Sequence, residues 1–298
     1  MASPAEIDAM RYAIALSALG LGTTSPNPPV GCVILDRDGQ MAGAGYHQRK
    51  GEPHAEVHAL AAAGTRAHGG SAVVTLEPCN HVGVTPACRQ ALLDARVARV
   101  VVATIDPTSR GDGGAAVLAA AGVEVEVGVL ADEARVVLEP WLTATMRRRP
   151  FVTWAYDASN GAAGTPDVTS VADLRQENDV LIFPDGGVEE GVPGGHGSQR
   201  LRLPDPVPDF ADPGASLEVL YAAGARTLLV VGKSPVAHAL LAVGALDGVV
   251  VHVPRDTDVS ASVTQPASML PSGFLITHVT TARGAIRLLA RQAPPMMT

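Results

Sequence analysis

The chain has 298 residues, 47% of them hydrophobic, and a formal net charge of −8, which is enough chain for two ordinary domains with a packed core in each. The first 149 residues carry 13 Lys and Arg against 15 Asp and Glu, the remainder 9 against 15, and aromatic residues are 3% of the whole. Neither half supplies the basic, aromatic-lined groove that a nucleic-acid strand requires, so no nucleic-acid partner is expected.

The opening stretch MASPAEIDAMRYAIALSALG places Ile7, Met10, Ile14, Leu16 and Leu19 at roughly helical spacing. It has charges inside it and lacks the basic n-region and clean apolar h-region of a signal peptide. Three cysteines are too few, and odd in number, for a disulfide framework. Later apolar runs such as ARTLLVVG are of strand length, well short of a membrane span. A soluble cytoplasmic protein with no membrane partner is the expectation.

After three prolines in TTSPNPPVG, PVGCVILD and GQMAGAGYH read as two strands joined by an Asp-Gly hairpin turn. A helix follows over 55–63, then strand SAVVTLE, a helix over 88–96, strand VARVVVATI, a helix over 113–121, and strand VEVEVGV. Alternating elements of this kind predict an α/β sandwich, with parallel strands covered by helices on both faces. A helix over 132–146 runs into RRRPFVTWAYD, where a basic stop signal and a proline set the domain boundary, giving domains at 1–149 and 150–298. The second is again α/β: strand 150–156, helix 170–178, strand DVLIF, helix 215–223, strand RTLLVVG, helix 235–243, strand GVVVHV and a last strand near 274–280. The Gly-rich acidic stretch 184–199 offers little apolar surface to offset its ordering entropy and reads as a mobile loop.

His54, Glu56, Cys79 and Cys88 fall within thirty-five positions of one another. Zinc favours Cys thiolate and His imidazole, and a catalytic site uses three protein ligands with the fourth position left for water. His54, Cys79 and Cys88 meet that count, and Glu56, two residues after His54 at a helix mouth, stands beside the site without ligating it. His-x-Glu followed by Pro-Cys and a second Cys is the order found in zinc deaminases, in which the Glu shuttles protons. Here eight residues, NHVGVTPA, separate the cysteines instead of the usual two. A helix starting near Pro86 presents Cys88 in its first turn, where the helix dipole favours a thiolate.

TSPNPPVGCVI, GYHQRKGEPHAEVHAL, TLEPCNHVGVTPAC and RVVVATIDP together resemble the deaminase domain of the bifunctional riboflavin-biosynthesis deaminase/reductase family, over about residues 5–149. The resemblance implies a cytidine-deaminase-like α/β/α sandwich followed by a shortened dihydrofolate-reductase-like α/β domain. It implies one Zn²⁺ per chain held by His54, Cys79 and Cys88, with Glu56 as the proton shuttle. The implied reaction is hydrolytic deamination of a 2,5-diamino-6-ribosylamino-4(3H)-pyrimidinone 5′-phosphate or a close analogue, a small aminopyrimidine. Asn27 is either a pocket residue that meets the substrate or a plain turn residue. His47 and His81 are similar to family positions near the ribose phosphate or the base, with a structural role as the other reading. The family's basic residue before Thr85 is replaced by Val84, which weakens the case for a phosphorylated substrate unless Arg49 and Lys50 compensate.

RPFVTWAYDASNGA resembles the entry to the family's NADPH-binding reductase domain, with its functional words altered. The family's first-strand Lys is replaced by Trp154, its Ser-Leu-Asp-Gly by Ala158-Ser159-Asn160-Gly161, and its Glu-Gly-Gly by Val231-Gly232-Lys233. With 9 basic residues against 15 acidic ones in this half, NADPH binding is not expected. Three readings stay open: a zinc deaminase with an inactive reductase-like domain, an enzyme with both activities, and a non-catalytic zinc-binding partner subunit. The resemblance also implies a homodimer.

Overall fold

The structure is a computed structural model that describes residues 1–80, 87–109, 111–158, 168–196, 201–254, 270–282 and 285–293. The chain divides into two compact units, Met1–Leu142 and Thr143–Thr298. Among the described residues no helix is long and apolar enough to cross a membrane.

The first unit opens with α1 (Pro4–Ser17), whose start is set by a reciprocal cap. Ser3 Oγ accepts from the Glu6 N–H at 3.3 Å, and Glu6 Oε2 accepts from the Ser3 N–H at 2.8 Å. Strands β1 (Gly31–Leu35) and β2 (Met41–Tyr46) form the expected hairpin, turned at Gly39 with φ +74°. Then come α2 (Ala55–Ala63), β3 (Ser71–Leu76), α3 (Cys88–Asp94), β4 (Arg99–Thr104), α4 (Gly113–Ala120), β5 (Glu124–Val127) and α5 (Ala131–Arg147), all in the order read from the sequence.

The sheet order is β2-β1-β3-β4-β5. β1 is antiparallel to both of its neighbours, and β3, β4 and β5 run parallel. Because strand side chains alternate, Val33, Leu35, Val73 and Val101 pack on one face with Met10 and Ala13 of α1 and Leu138 and Trp141 of α5. Cys32, Ile34, Val74, Val100 and Val102 pack on the other with Ala59 of α2, Leu92 of α3 and Leu118 of α4. The result is the α/β/α sandwich. The approach of α2 to β2 is close: a Cβ on Gly45 would lie 2.5 Å from the His58 Cβ and 2.7 Å from the Ala59 nitrogen.

The second unit contains β6 (Phe151–Asp157), α6 (Val168–Gln176), β7 (Val180–Ile182), β8 (Val188–Glu190), α7 (Pro213–Ala222), β9 (Thr227–Val231), α8 (Pro235–Ala242), β10 (Gly248–Pro254), β11 (Phe274–Ala282) and β12 (Ala285–Gln292). Its sheet order is β11-β12-β10-β6-β9-β7-β8, with β10, β6, β9 and β7 parallel and the outer strands antiparallel. Asp247, buried just ahead of β10, accepts from the Val152 N–H at 2.9 Å and from Arg149 at 2.6 and 2.8 Å, holding β6 and β10 at their shared edge.

Two strands, β8 and β12, lie outside the elements read from the sequence. β8 falls inside the stretch expected to be a mobile loop, and it pairs with β7 residue by residue from Val180↔Glu190 to Ile182↔Val188. Beyond it His196 is 1% exposed, its Nε2 lying 2.9 Å from Asp179 Oδ1. These polar partners, together with Val188 packed against the core, anchor the stretch. Its last residues, 197–199, lie outside the described residues.

Candidate metal centre

Three chain segments converge at one end of the first sheet. His54 is the N-cap of α2, with extended backbone (φ −75°, ψ 168°) and a side chain that makes no capping bond. Its carbonyl accepts from the Val57 and His58 N–H groups, so the backbone starts the helix and the imidazole is left for the site. Cys79 follows the end of β3, and Cys88 is the first residue of α3. The Cys88 N–H donates to Cys79 Sγ at 3.2 Å and the Arg89 N–H to the Cys79 carbonyl at 3.4 Å, so the start of α3 is fastened to the end of β3.

The donor atoms of His54, Cys79 and Cys88 all lie within 4.8 Å of one another, and this group has three members among the described residues. His54 Nδ1 is 3.1 Å from Cys88 Sγ and 3.7 Å from Cys79 Sγ. A nitrogen and a sulfur bound to one tetrahedral zinc are about 3.6 Å apart, from bond lengths of about 2.0–2.1 and 2.3 Å. The donor set and its spacing therefore fit zinc. Cys88 is buried, but His54 and Cys79 are only half-buried, so the group opens toward solvent.

The electrostatics agree with a thiolate site. The Cys79 thiol is pushed down to about 4 by its hydrogen bond from the Cys88 thiol, with His54 and the Cys88 N–H assisting and burial opposing. Cys88, which gives that bond, is pushed up, by burial and by Glu56 as well. His54 is raised by its hydrogen bond to Cys79 and by the charge of Glu56, against burial. Glu56 lies in the first turn of α2 and is 3% exposed. Burial raises its carboxyl above the usual range although the His54 charge opposes this, and it hydrogen-bonds the Cys88 thiol. It thus faces the donor group without belonging to it.

Asn27 and His47 are brought to the same place. The His47 ring meets the His54 ring edge-on, with centroids 4.9 Å apart. His47 Nδ1 is 3.2 Å from the Pro53 carbonyl oxygen and its Nε2 is 3.2 Å from Asn27 Nδ2. A carbonyl only accepts, so Nδ1 carries the proton, the bare Nε2 accepts, and the Asn27 amide must donate to it. Asn27 then turns its Oδ1 away from His47. His47 is pushed down to about 4, chiefly by burial and then by the charge of His54, with Lys50 and His58 contributing. His47 is thus neutral, and the relay is fixed. His81 and Val84 lie outside the described residues.

One carboxylate at this end of the sheet was not singled out in the sequence. Glu77 directly follows Leu76, the last residue of β3, is buried, and accepts hydrogen bonds from Ala115, Asp106 and Ser109. A charged residue closing a buried strand just before Pro-Cys is the signal that marks it.

In the second unit Trp154 is buried where the resemblance implies a lysine. Its Nε1 donates to the Gly232 carbonyl at 2.8 Å, and its ring packs against Tyr156 (4.4 Å between centroids) and His238 (5.3 Å). The two altered motifs, at Trp154 and at Val231-Gly232-Lys233, are thus bonded to each other. Residues Ser159, Asn160 and Gly161 of the third lie outside the described residues.

Residues 5–104 match the family model described as the cytidine and deoxycytidylate deaminase zinc-binding region. The chain is 46% identical over 149 residues to riboflavin biosynthesis protein RibD of Aquifex aeolicus and 47% identical over 165 residues to that of Mycobacterium tuberculosis. These matches cover 49% and 55% of this chain but only 42% and 49% of those proteins, so the chain spans about half the length of these curated relatives. A solved structure of Acinetobacter baumannii RibD superimposes with a TM-score of 0.74 at 26% identity, over 97% of this chain and 99% of that one. RibD of Corynebacterium ammoniagenes is 34% identical over 286 residues, 82% of this chain and 84% of its own. Since that likeness runs through both units, and His54, Cys79 and Cys88 all stand inside the matched zinc-binding region, the chain belongs to the riboflavin-biosynthesis deaminase/reductase family.

Proposed function

We propose that residues 1–149 form a zinc-dependent deaminase acting on a 2,5-diamino-6-ribosylamino-4(3H)-pyrimidinone, as its 5′-phosphate or a close analogue. The observation that carries this reading is the three-donor group His54, Cys79 and Cys88 with a buried carboxylate, Glu56, facing it. A purely structural zinc site takes four protein ligands and needs no such carboxylate. Zinc, when bound, supplies the Lewis acidity that makes a water nucleophilic near neutral pH.

The chain's own residues supply the rest. The Glu56 carboxylate accepts a proton from the attacking water and delivers it to the ring nitrogen beside the amine-bearing carbon. A second proton passes by the same carboxylate to the departing amine, so water and substrate become the uracil analogue and ammonia. Asn27 Oδ1, held by the Pro53–His47 relay, accepts from a donor on the substrate ring or ribose. The positive charge of Lys50, which works against protonation of both His47 and His54, supports a partner role toward an anionic substituent in place of the cation lost at Val84.

Residues 150–298 are read as a reductase-like domain that has lost its reductase activity. The bond from Trp154 to Gly232 and the 9-to-15 charge balance support this. The likeness to the Corynebacterium protein across both units favours the bifunctional reading instead. Exposed Leu275, Ile276 and Val279 on the edge strand β11 support a homodimer. The deciding experiment is ammonia release by the zinc-loaded chain from the diaminopyrimidinone ribosylamine with and without its phosphate, followed by NADPH oxidation on the product. Ammonia without NADPH oxidation is expected. Comparable rates of both would establish the bifunctional reading, and no ammonia from either substrate would sink the deaminase reading.

A further inference from the structure

Glu77 lies two positions before Cys79 and outside the donor group. Its Oε1 accepts from the Ala115 N–H at 3.0 Å, and its Oε2 accepts from the Ser109 hydroxyl at 2.7 Å and the Asp106 N–H at 3.3 Å. These donors stand at both ends of the segment that links β4 to α4, so one carboxylate grips the segment twice. The contact is close at the α4 end of the segment. A Cβ on Gly113, whose φ is +80°, would lie 2.4 Å from Glu77 Oε1, and one on Gly114 would lie 1.8 Å from the Pro78 carbonyl oxygen. The segment is thus seated on Glu77 and Pro78, the two residues that lead directly into Cys79.

The parallel ladder explains why such a seat is needed. Pairing of β3 with β4 ends at Leu76↔Thr104, with one more bond from the Glu77 N–H to the Thr104 carbonyl. Pro78 has no N–H to continue it. Beyond that point the direction of the chain is left to packing.

We propose that Glu77 is a positioning residue for the His54, Cys79 and Cys88 donor group, fixing the direction in which Cys79 leaves β3 by clamping the β4–α4 segment onto Glu77 and Pro78. The inference rests on the zinc reading above. A carboxylate is required because all three of its partners donate. Glutamine in either orientation sets its NH₂ against a backbone N–H, and alanine leaves two backbone N–H groups without an acceptor.

The test uses the full chain, with zinc affinity measured by competition against a chromophoric chelator and ligand geometry read from the visible spectrum of the cobalt-loaded protein. Native protein is expected to bind one equivalent; if it binds none, the zinc reading itself is wrong, whatever Glu77 does. Glu77→Gln is expected to bind zinc about 10–100-fold more weakly, with altered cobalt bands. Gly114→Ala, which leaves the carboxylate intact but pushes on the Pro78 carbonyl, is expected to shift both readings in the same direction. Ser109→Ala, which removes one of three bonds, is expected to shift them less. Native affinity and a native cobalt spectrum in Glu77→Gln would overturn the proposal; should that variant fail to fold, native values in both Gly114→Ala and Ser109→Ala would overturn it.

Discussion

Glu56 and Glu6 are both buried acids on helix first turns, yet their surroundings set them opposite tasks. Burial dominates at Glu56, and among the described residues His54 supplies the charge that opposes it. Glu56→Gln keeps the shape and removes the proton carrier, so ammonia release is expected to fall by about 10²–10⁴-fold while the protein still binds one zinc, measured by metal analysis of the same sample. Undiminished ammonia release would show that Glu56 is not the proton carrier. Glu6 is likewise raised by burial, but hydrogen bonds from Ser3 and Arg99 and the Arg99 charge outweigh this and hold its carboxyl below the usual range. Arg99 Nε reaches Glu6 Oε1 at 2.8 Å and also pairs with Glu124 and Glu126. A group depressed on folding stabilises the fold above its unfolded value and loses that contribution as pH falls through the folded one. Glu6→Gln is therefore expected to cost about 1–3 kcal/mol at neutral pH. The gap to the native protein should close as pH drops below about 4, as read by urea unfolding of the chelated protein; a gap independent of pH would refute the assignment.

At the scale of elements, the site depends on how tightly α2 lies on β2. The small residues of MAGAGY let the helix backbone approach, and that approach sets where His54 and Glu56 begin. Gly45→Val forces a side chain into the space of His58 and Ala59. Overpacking of this kind costs about 1–3 kcal/mol, and the variant is expected to melt earlier and to purify with less than one zinc; normal zinc content would show that the helix start is set by other contacts. Periodicity and turn chemistry made most elements legible: the helical spacing in α1, the Asp-Gly hairpin, and the apolar runs of β3 and β4. β8 and β12 were not. β8 is three residues, two of them glutamate, held by its partner β7. β12 reads AIRLLARQ, apolar and basic without clear alternation, and its place between β10 and β11 comes from pairing with β10, from Gly248↔Arg291 to Pro254↔Ala285, across a long stretch of chain. Non-local pairing leaves no trace in local pattern.

For the whole molecule, the two units carry separate cores, one built on α1, α5 and the first sheet and another on the second sheet. Metal binding to the native state stabilises only what folds around it. Removing zinc is therefore expected to speed amide hydrogen exchange in the first turns of α2 and α3 while leaving β6, β9 and β10 protected. Equal loss of protection in both units would show that the second depends on the metal too.

His54, Glu56, Cys79 and Cys88 stand out as a candidate group from order and residue type alone, because zinc and proton transfer each demand a narrow set of side chains whatever fold presents them, and the structure brings the three donors together. The alternation of strands and helices fixed the α/β class in the same way, since amphipathic period is a local property. What the tertiary structure decided is how the pieces meet: the 3.1 Å approach of His54 to Cys88, the neutral His47 that turns the Asn27 amide, the Trp154 bond that joins two altered motifs, and the grip of Glu77 on a segment some thirty residues away. Hydrogen-bond roles and burial belong to pairs of residues, and which pairs form is settled only when the whole chain has closed on itself.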